Sequence, residues 1–145
     1  MSKPIYVLNG PNLNRLGRRQ PEIYGRTTLA EIEALCKGTL PDRPIVFRQS
    51  NREYELIEWI QEAVDEGDGI VINPAGFSFT SVAIMDALKM FEGPIIELHI
   101  SNIHKREAIY HKSLVSPVAT AVIAGLGARG YGLALQAIAD MLRAP

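Results

Sequence analysis

Ile70-Val71-Ile72-Asn73-Pro74-Ala75-Gly76-Phe77-Ser78-Phe79-Thr80-Ser81 is the stretch on which the reading of this chain turns. A short β-branched run, long enough only for a buried strand, stops at Asn73-Pro74 because proline cannot continue a ladder. A turn follows, and Thr80-Ser81 supply hydroxyls suited to cap a helix over about Ser81 to Phe91. Strand, polar turn and helix make the repeating unit of a parallel sheet. The same unit recurs on either side.

Upstream, Ile5-Tyr6-Val7-Leu8 is stopped by Asn9-Gly10-Pro11. A polar loop rich in arginine and glycine then runs from about Asn12 to Thr27. Loops of this length in compact domains commonly serve as lids, and residues 16–27 are expected to form one. Thr28 and Glu31 have capping-box spacing, and Leu29, Ile32 and Leu35 give the next helix an apolar face. Pro44-Ile45-Val46-Phe47 reads as the second strand. Ser50 and Glu53 read as another capping pair, before a helix that turns Leu56, Ile57, Ile60 and Val64 inward and ends at Gly67. Downstream, Gly93-Pro94 precedes a fourth strand over Ile95 to Ile100. A fifth covers Val118 to Ile123, and the last helix runs from Tyr131 to Arg143.

Five apolar strands separated by helices predict a parallel sheet covered on both faces. With right-handed crossovers the expected order is 2-1-3-4-5, a flavodoxin-like α/β fold. Ligands of such sheets bind beyond the carboxyl ends of the strands, where the first and third strands diverge. The unusual polar residues of this chain follow strands 1, 3 and 4, which are neighbours in that order.

At 145 residues the chain suffices for one core and is too short for two ordinary domains, so residues 1–145 read as a single domain. Hydrophobic residues at 47% and charged ones at 21% describe a globular protein. A net charge of −1 supplies no broad field for nucleic acid or an anionic membrane, so any anion binding must be local. The single cysteine, Cys36, sits in a helical pattern as a small core residue. Met1-Ser2-Lys3-Pro4 leads into a strand without an apolar leader, and no run approaches the roughly 18 apolar residues of a membrane span. A cytoplasmic protein is expected.

Glu97 and His99 lie two apart on one strand and therefore share a face, opposite Ile96, Leu98 and Ile100. A carboxylate and an imidazole are costly to bury unless paired. Glu97 would orient His99 and favour its protonated form as a general acid, or the two would form only a structural ion pair. Ser101 and the amides after Ile100 stand at the strand end, where a carboxylate fits. Asn12 and Asn73 follow strands 1 and 3, and either serves a turn or donates to a developing oxyanion. The lid contributes Arg18, Arg19 and Tyr24. A phenol titrating near about 10 is a poor base at neutral pH unless a cation stabilises its phenolate. His99, His104 and His111 match no zinc spacing. There is no P-loop, GxGxxG or Ser-His-Asp order, so nucleotide and acyl-transfer chemistry have little support.

Gly10-Pro11-Asn12-Leu13, Leu16-Gly17-Arg18-Arg19, Tyr24-Gly25, Thr80-Ser81-Val82-Ala83, His99-Ile100-Ser101-Asn102, Ser116-Pro117 and Gly125-Leu126-Gly127 occur in this order. Together they resemble the type II 3-dehydroquinate dehydratases nearly end to end. The resemblance implies a hydro-lyase of the shikimate or quinate pathway that needs no metal and no cofactor. It makes Tyr24 the base at C2, Arg19 its supporting cation, and Asn12 a stabiliser of the enolate. His99, oriented by Glu97, becomes the acid for the C1 hydroxyl. Asn73, the Ile100 amide and Ser101 would hold the substrate's carboxylate and C1 hydroxyl. Asp86 would reach a neighbouring subunit's site in a dodecamer built from trimers.

Two positions depart from the family pattern. Phe79 stands where the resemblance calls for histidine, and Tyr110 where it calls for a substrate-binding arginine. Both belong to the end of the pocket that grips the ring hydroxyls at C4 and C5. An unpartnered hydroxyl in a closed site costs about 1–3 kcal/mol. The most economical expectation is an ordinary 3-dehydroquinate dehydratase that tolerates the two changes, with full activity or with weaker binding of dehydroquinate. A related ring carboxylate lacking part of that diol, or a homologue that only binds its ligand, are the alternatives.

Overall fold

The computed structural model describes residues 2–143, so Met1 of the opening stretch lies outside the described residues. Five parallel strands, β1 (Ile5–Asn9), β2 (Ile45–Gln49), β3 (Gly69–Asn73), β4 (Ile95–His99) and β5 (Ala121–Ala124), form one sheet in the order β2-β1-β3-β4-β5. The predicted flavodoxin-like arrangement is the one observed. Helices α2 (Leu29–Thr39) and α5 (Arg129–Arg143) cover one face, and α3 (Glu53–Glu66) and α4 (Val82–Leu88) cover the other. A four-residue helix, α1 (Pro21–Tyr24), lies within the predicted lid.

Strand alternation divides the core into two layers. Ile5, Val7, Val71, Ile96 and Leu98 pack on Ile32, Cys36, Tyr131, Leu135 and Ile138. Tyr6, Leu8, Ile70, Ile72 and Ile95 pack on Leu56, Ile60, Ala63, Ile84 and Leu88. Burial, with a smaller contribution from the Glu33 charge, pushes the Cys36 thiol up to about 12, which fits a core residue rather than a reactive one.

Several local expectations need correction. In α2 the buried positions are Ile32 and Cys36, whereas Leu35 is 41% exposed. Ser50 does not cap with Glu53. Its hydroxyl bonds the Glu55 carboxylate at 2.5 Å, two residues beyond the expected partner, and accepts from the Arg52 amide at 2.9 Å. The fifth strand begins at Ala121, because Ser116-Pro117-Val118 forms a 3₁₀ turn, with Pro117 near its start. α4 ends at Leu88, well short of Phe91. The long loop is not structureless: α1 follows Gln20, with Pro21 at its first position. The Thr28–Glu31 capping box is present in full. Among the described residues no helix is long and apolar enough to cross a membrane.

Candidate active site

The carboxyl ends of β1 and β3 are in register, with Asn9 opposite Asn73, and the chain leaves both strands through a very close contact. The Gly10 amide donates to the Asn73 carbonyl at 2.8 Å. A Cβ on residue 10 would lie 2.4 Å from the Pro74 carbonyl oxygen, so only glycine fits. Beyond it Asn12 adopts a left-handed conformation (φ 70°), which asparagine tolerates. Its amide donates to Asn51 Oδ1 at 2.9 Å, and Gln49 Nε2 donates to the Gly10 carbonyl at 3.1 Å. Among the described residues the non-glycine residues with positive φ are Asn12 and Ala75, which follow the two strand exits, and Gln20, which precedes α1. Such strain collects at functional sites.

Beneath the exits lies a buried polar chain. Asn73 accepts from the Ala75 amide at 3.2 Å and donates to the Tyr131 hydroxyl at 3.0 Å. Tyr131 in turn donates to Asn9 Oδ1 at 2.7 Å. Burial pushes the Tyr131 phenol well above its ordinary range, so it acts as a neutral donor. Asn73 therefore has the turn role weighed for it, and still lines the cavity above.

On β4, Glu97 and His99 share a face as predicted, and both are buried. His99 Nε2 lies 2.5 Å from Glu97 Oε2, and Ser116 Oγ donates to Glu97 Oε1 at 2.5 Å. Burial raises the Glu97 carboxyl, but bonds from His99, Ser116 and Ser113 outweigh it and hold the group below the usual carboxylate range. Glu97 is thus a fixed anion behind the imidazole. With Nε2 engaged, Nδ1 is the ring nitrogen available to a ligand.

The loop of residues 16–27 supplies the other half. α1 is closed by the Gly25 amide donating to the Pro21 carbonyl at 2.8 Å, and Gly25 takes φ 80°, so the chain turns away directly after Tyr24. The Arg19 guanidinium carbon lies 4.8 Å from the Tyr24 ring centroid. Arg106 approaches the same ring at 5.5 Å and the Tyr110 ring at 4.1 Å. Among the described residues neither arginine forms an ion pair.

These groups enclose a cavity of about 170 Å³. That is below the about 300–1,000 Å³ typical for drug-sized ligands, and suits one small ring. No Asp or Glu lines it, whereas Arg19 and Arg106 both do, which favours an anionic ligand. Asn12, Arg19, Tyr24, Asn73, Phe79, His99, Ile100, Ser101 and Tyr110 all line this cavity. Glu97 stands behind His99. Asp86 is not brought to the cavity: it is exposed on α4, 3.6 Å from Lys89 Nζ. Arg18 lies outside as well, with Asn12, Arg15 and Arg19 along a separate groove. Sequence reasoning missed Arg106, Ser113, Ser116 and Tyr131. Only Ser116 carried a signal, through its place in the Ser116-Pro117 motif.

The family model for class II dehydroquinases matches residues 3–139. The chain is 59% identical over 137 residues to a protein named 3-dehydroquinate dehydratase 2 from Agrobacterium fabrum, with 93% of each covered. It is 54% identical over 145 residues to the 3-dehydroquinate dehydratase of Phenylobacterium zucineum, covering 99% of this chain and all of that one. The crystal structure of a type II dehydroquinase from Propionibacterium acnes superimposes with a TM-score of 0.92 at 47% identity, over 97% of this chain and 98% of that one. A match over nearly the whole length, on the fold and cavity just described, means that this chain belongs to the class II dehydroquinase family.

Proposed function

We propose that the chain dehydrates 3-dehydroquinate to 3-dehydroshikimate, with the lid supplying the base and β4 the acid. Its membership of the family and its relatives, named for this activity, support the reaction. The observation that carries the assignment of roles is the convergence of Tyr24, Arg19, Asn12 and a Glu97-backed His99 on one small cavity.

In this reading Tyr24, with the Arg19 guanidinium over its ring, takes the proton from C2, and the electrons move into an enolate at C3. Asn12 donates to the enolate oxygen. Collapse of the enolate forms the C1–C2 double bond and breaks the bond from C1 to its hydroxyl. His99 gives that hydroxyl a proton, so it leaves as water. Asn73, the Ile100 amide and Ser101 hold the carboxylate and the departing hydroxyl. Residues 16–27 close over the ring and exclude water. The exposed position of Asp86 suits a residue that completes the cavity of a neighbouring subunit, in a dodecamer of trimers. The protein works in the cytoplasm.

The test follows the ultraviolet absorbance of the conjugated product when purified protein meets 3-dehydroquinate. Turnover that disappears in Tyr24→Phe supports the reading. A folded protein that binds the acid without converting it refutes it.

A further inference from the structure

We infer that the wall formed by Phe79, Tyr110 and Arg106 determines which ring acid this site prefers, and that it favours a 1-hydroxy-3-oxocyclohexane carboxylate lacking a hydroxyl at C4 or C5. The inference rests on the dehydratase reading and concerns rank order among substrates of that one reaction.

The wall is a continuous stack. The Phe79 ring lies nearly parallel to His99, with centroids 6.3 Å apart and planes at 25°. Its other neighbour is Tyr110, met edge-to-face at 5.3 Å and 77°. Arg106 then lies on the Tyr110 ring at 4.1 Å and reaches the Tyr24 ring at 5.5 Å. All five side chains line the same cavity. Edge-to-face geometry and a cation on the far ring each favour the arrangement present, so the rings form a surface rather than two independent side chains.

Polarity around the cavity is uneven, and it is lowest at Phe79. Asn12, Asn73, His99, Ser101, Arg19 and Tyr24 offer donors or acceptors to a ligand. Phe79 offers none, and Tyr110 offers a single hydroxyl at its tip. Arg106 stands over the Tyr110 ring at 4.1 Å and is the one charged group of this wall. A substrate hydroxyl turned toward Phe79 would surrender water when the lid closes and gain no partner, a loss worth about five- to 150-fold in affinity. A ring carbon without a hydroxyl has nothing to lose there and gains contact with the ring.

The chemistry permits this choice. Elimination requires a leaving hydroxyl at C1, a removable proton at C2 and a carbonyl at C3 to hold the enolate. None of these steps involves an oxygen at C4 or C5. The class of substrate selected is therefore a ring β-hydroxy ketone acid with one unsubstituted edge.

The experiment compares kcat/KM for 3-dehydroquinate and its 4-deoxy and 5-deoxy analogues in the wild type, Phe79→His and Phe79→Leu. At least one deoxy acid is expected to exceed dehydroquinate by about fivefold or more. Phe79→Leu, which keeps an apolar surface, should retain the preference. Phe79→His, which adds a polar edge of similar shape, should reverse it. A wild type that favours dehydroquinate over both analogues, or a preference unchanged in Phe79→His, overturns the inference. Absence of turnover with all three acids would instead sink the dehydratase reading. Calorimetric binding of the same three acids then decides the wall: a tighter deoxy acid upholds it, and equal or weaker binding overturns it.

Discussion

The two halves of the cavity are built in opposite ways. On β4, Glu97 and His99 are buried, 2.5 Å apart, and locked by Ser116 from behind. In the lid, Arg19 and Tyr24 are only partly buried and meet face to cation, and neither side chain has a hydrogen-bond partner among the described residues. In the proposed mechanism the acid, His99, has to hold its orientation to protonate a leaving group, and the interior of a sheet would provide that. Tyr24, the proposed base, stands on a loop that would have to let substrate in and then close on it. Side-chain hydrogen bonding is concentrated in the strand and absent from the two loop residues, as expected if one site needs both a fixed and an adaptable group.

The sharpest way to break this comparison is to remove one group from each half. Tyr24→Phe is expected to lower kcat by about 10²–10⁴-fold. Its effect on stability should stay within about 0.5 kcal/mol, because the lost hydroxyl bonds no protein group. Glu97→Ala should lose activity and also about 3–5 kcal/mol of stability, since it leaves the buried His99 and Ser113 without their anionic partner. Turnover and urea midpoints measured on both variants decide the matter. Equal destabilisation would show that the lid is as much a part of the core as β4.

Acid sharpens the contrast next. The Glu97 carboxyl is held below the usual range when folded, against about 4.3 for an unfolded glutamate. Its stabilising contribution is therefore complete above about pH 5, and is lost as pH falls through the folded value. Thermal midpoints of the wild type and Glu97→Gln, compared between pH 6 and pH 3, should converge toward the acid end. Parallel curves would remove Glu97 from the acid sensitivity of the fold.

Ser116→Ala gives the smallest effect. It removes one of the donors to Glu97 and should cost about 1–3 kcal/mol. If Ser116 acts through Glu97 on His99, kcat falls by roughly tenfold while KM holds. A change confined to KM would place Ser116 in substrate binding instead.

Much of this was legible because the signals are local. Strand alternation alone put Glu97 and His99 on one face, and their distance from the apolar pattern marked them as a pair. The Asn73-Pro74 stop and the Thr28–Glu31 box could be read from spacing. The failures are equally local in origin. Leu35 fits the helical stripe of Leu29 and Ile32 as well as Cys36 does, and only packing on α5 chose between them. Ser50 had carboxylates at more than one usable spacing and took Glu55.

The chain by itself determined the sheet order, the strand exits that meet at the cavity, and the placing of Glu97 and His99 on one face of β4. Each follows from period, steric stops or residue chemistry within a few positions. Tertiary structure alone decided that Arg106 lies between Tyr110 and Tyr24, that Ser116 braces Glu97, and that Tyr131 ties Asn9 to Asn73. These contacts join residues as far as 122 positions apart, and a side chain acquires such a partner only when the sheet has brought both ends to the same place.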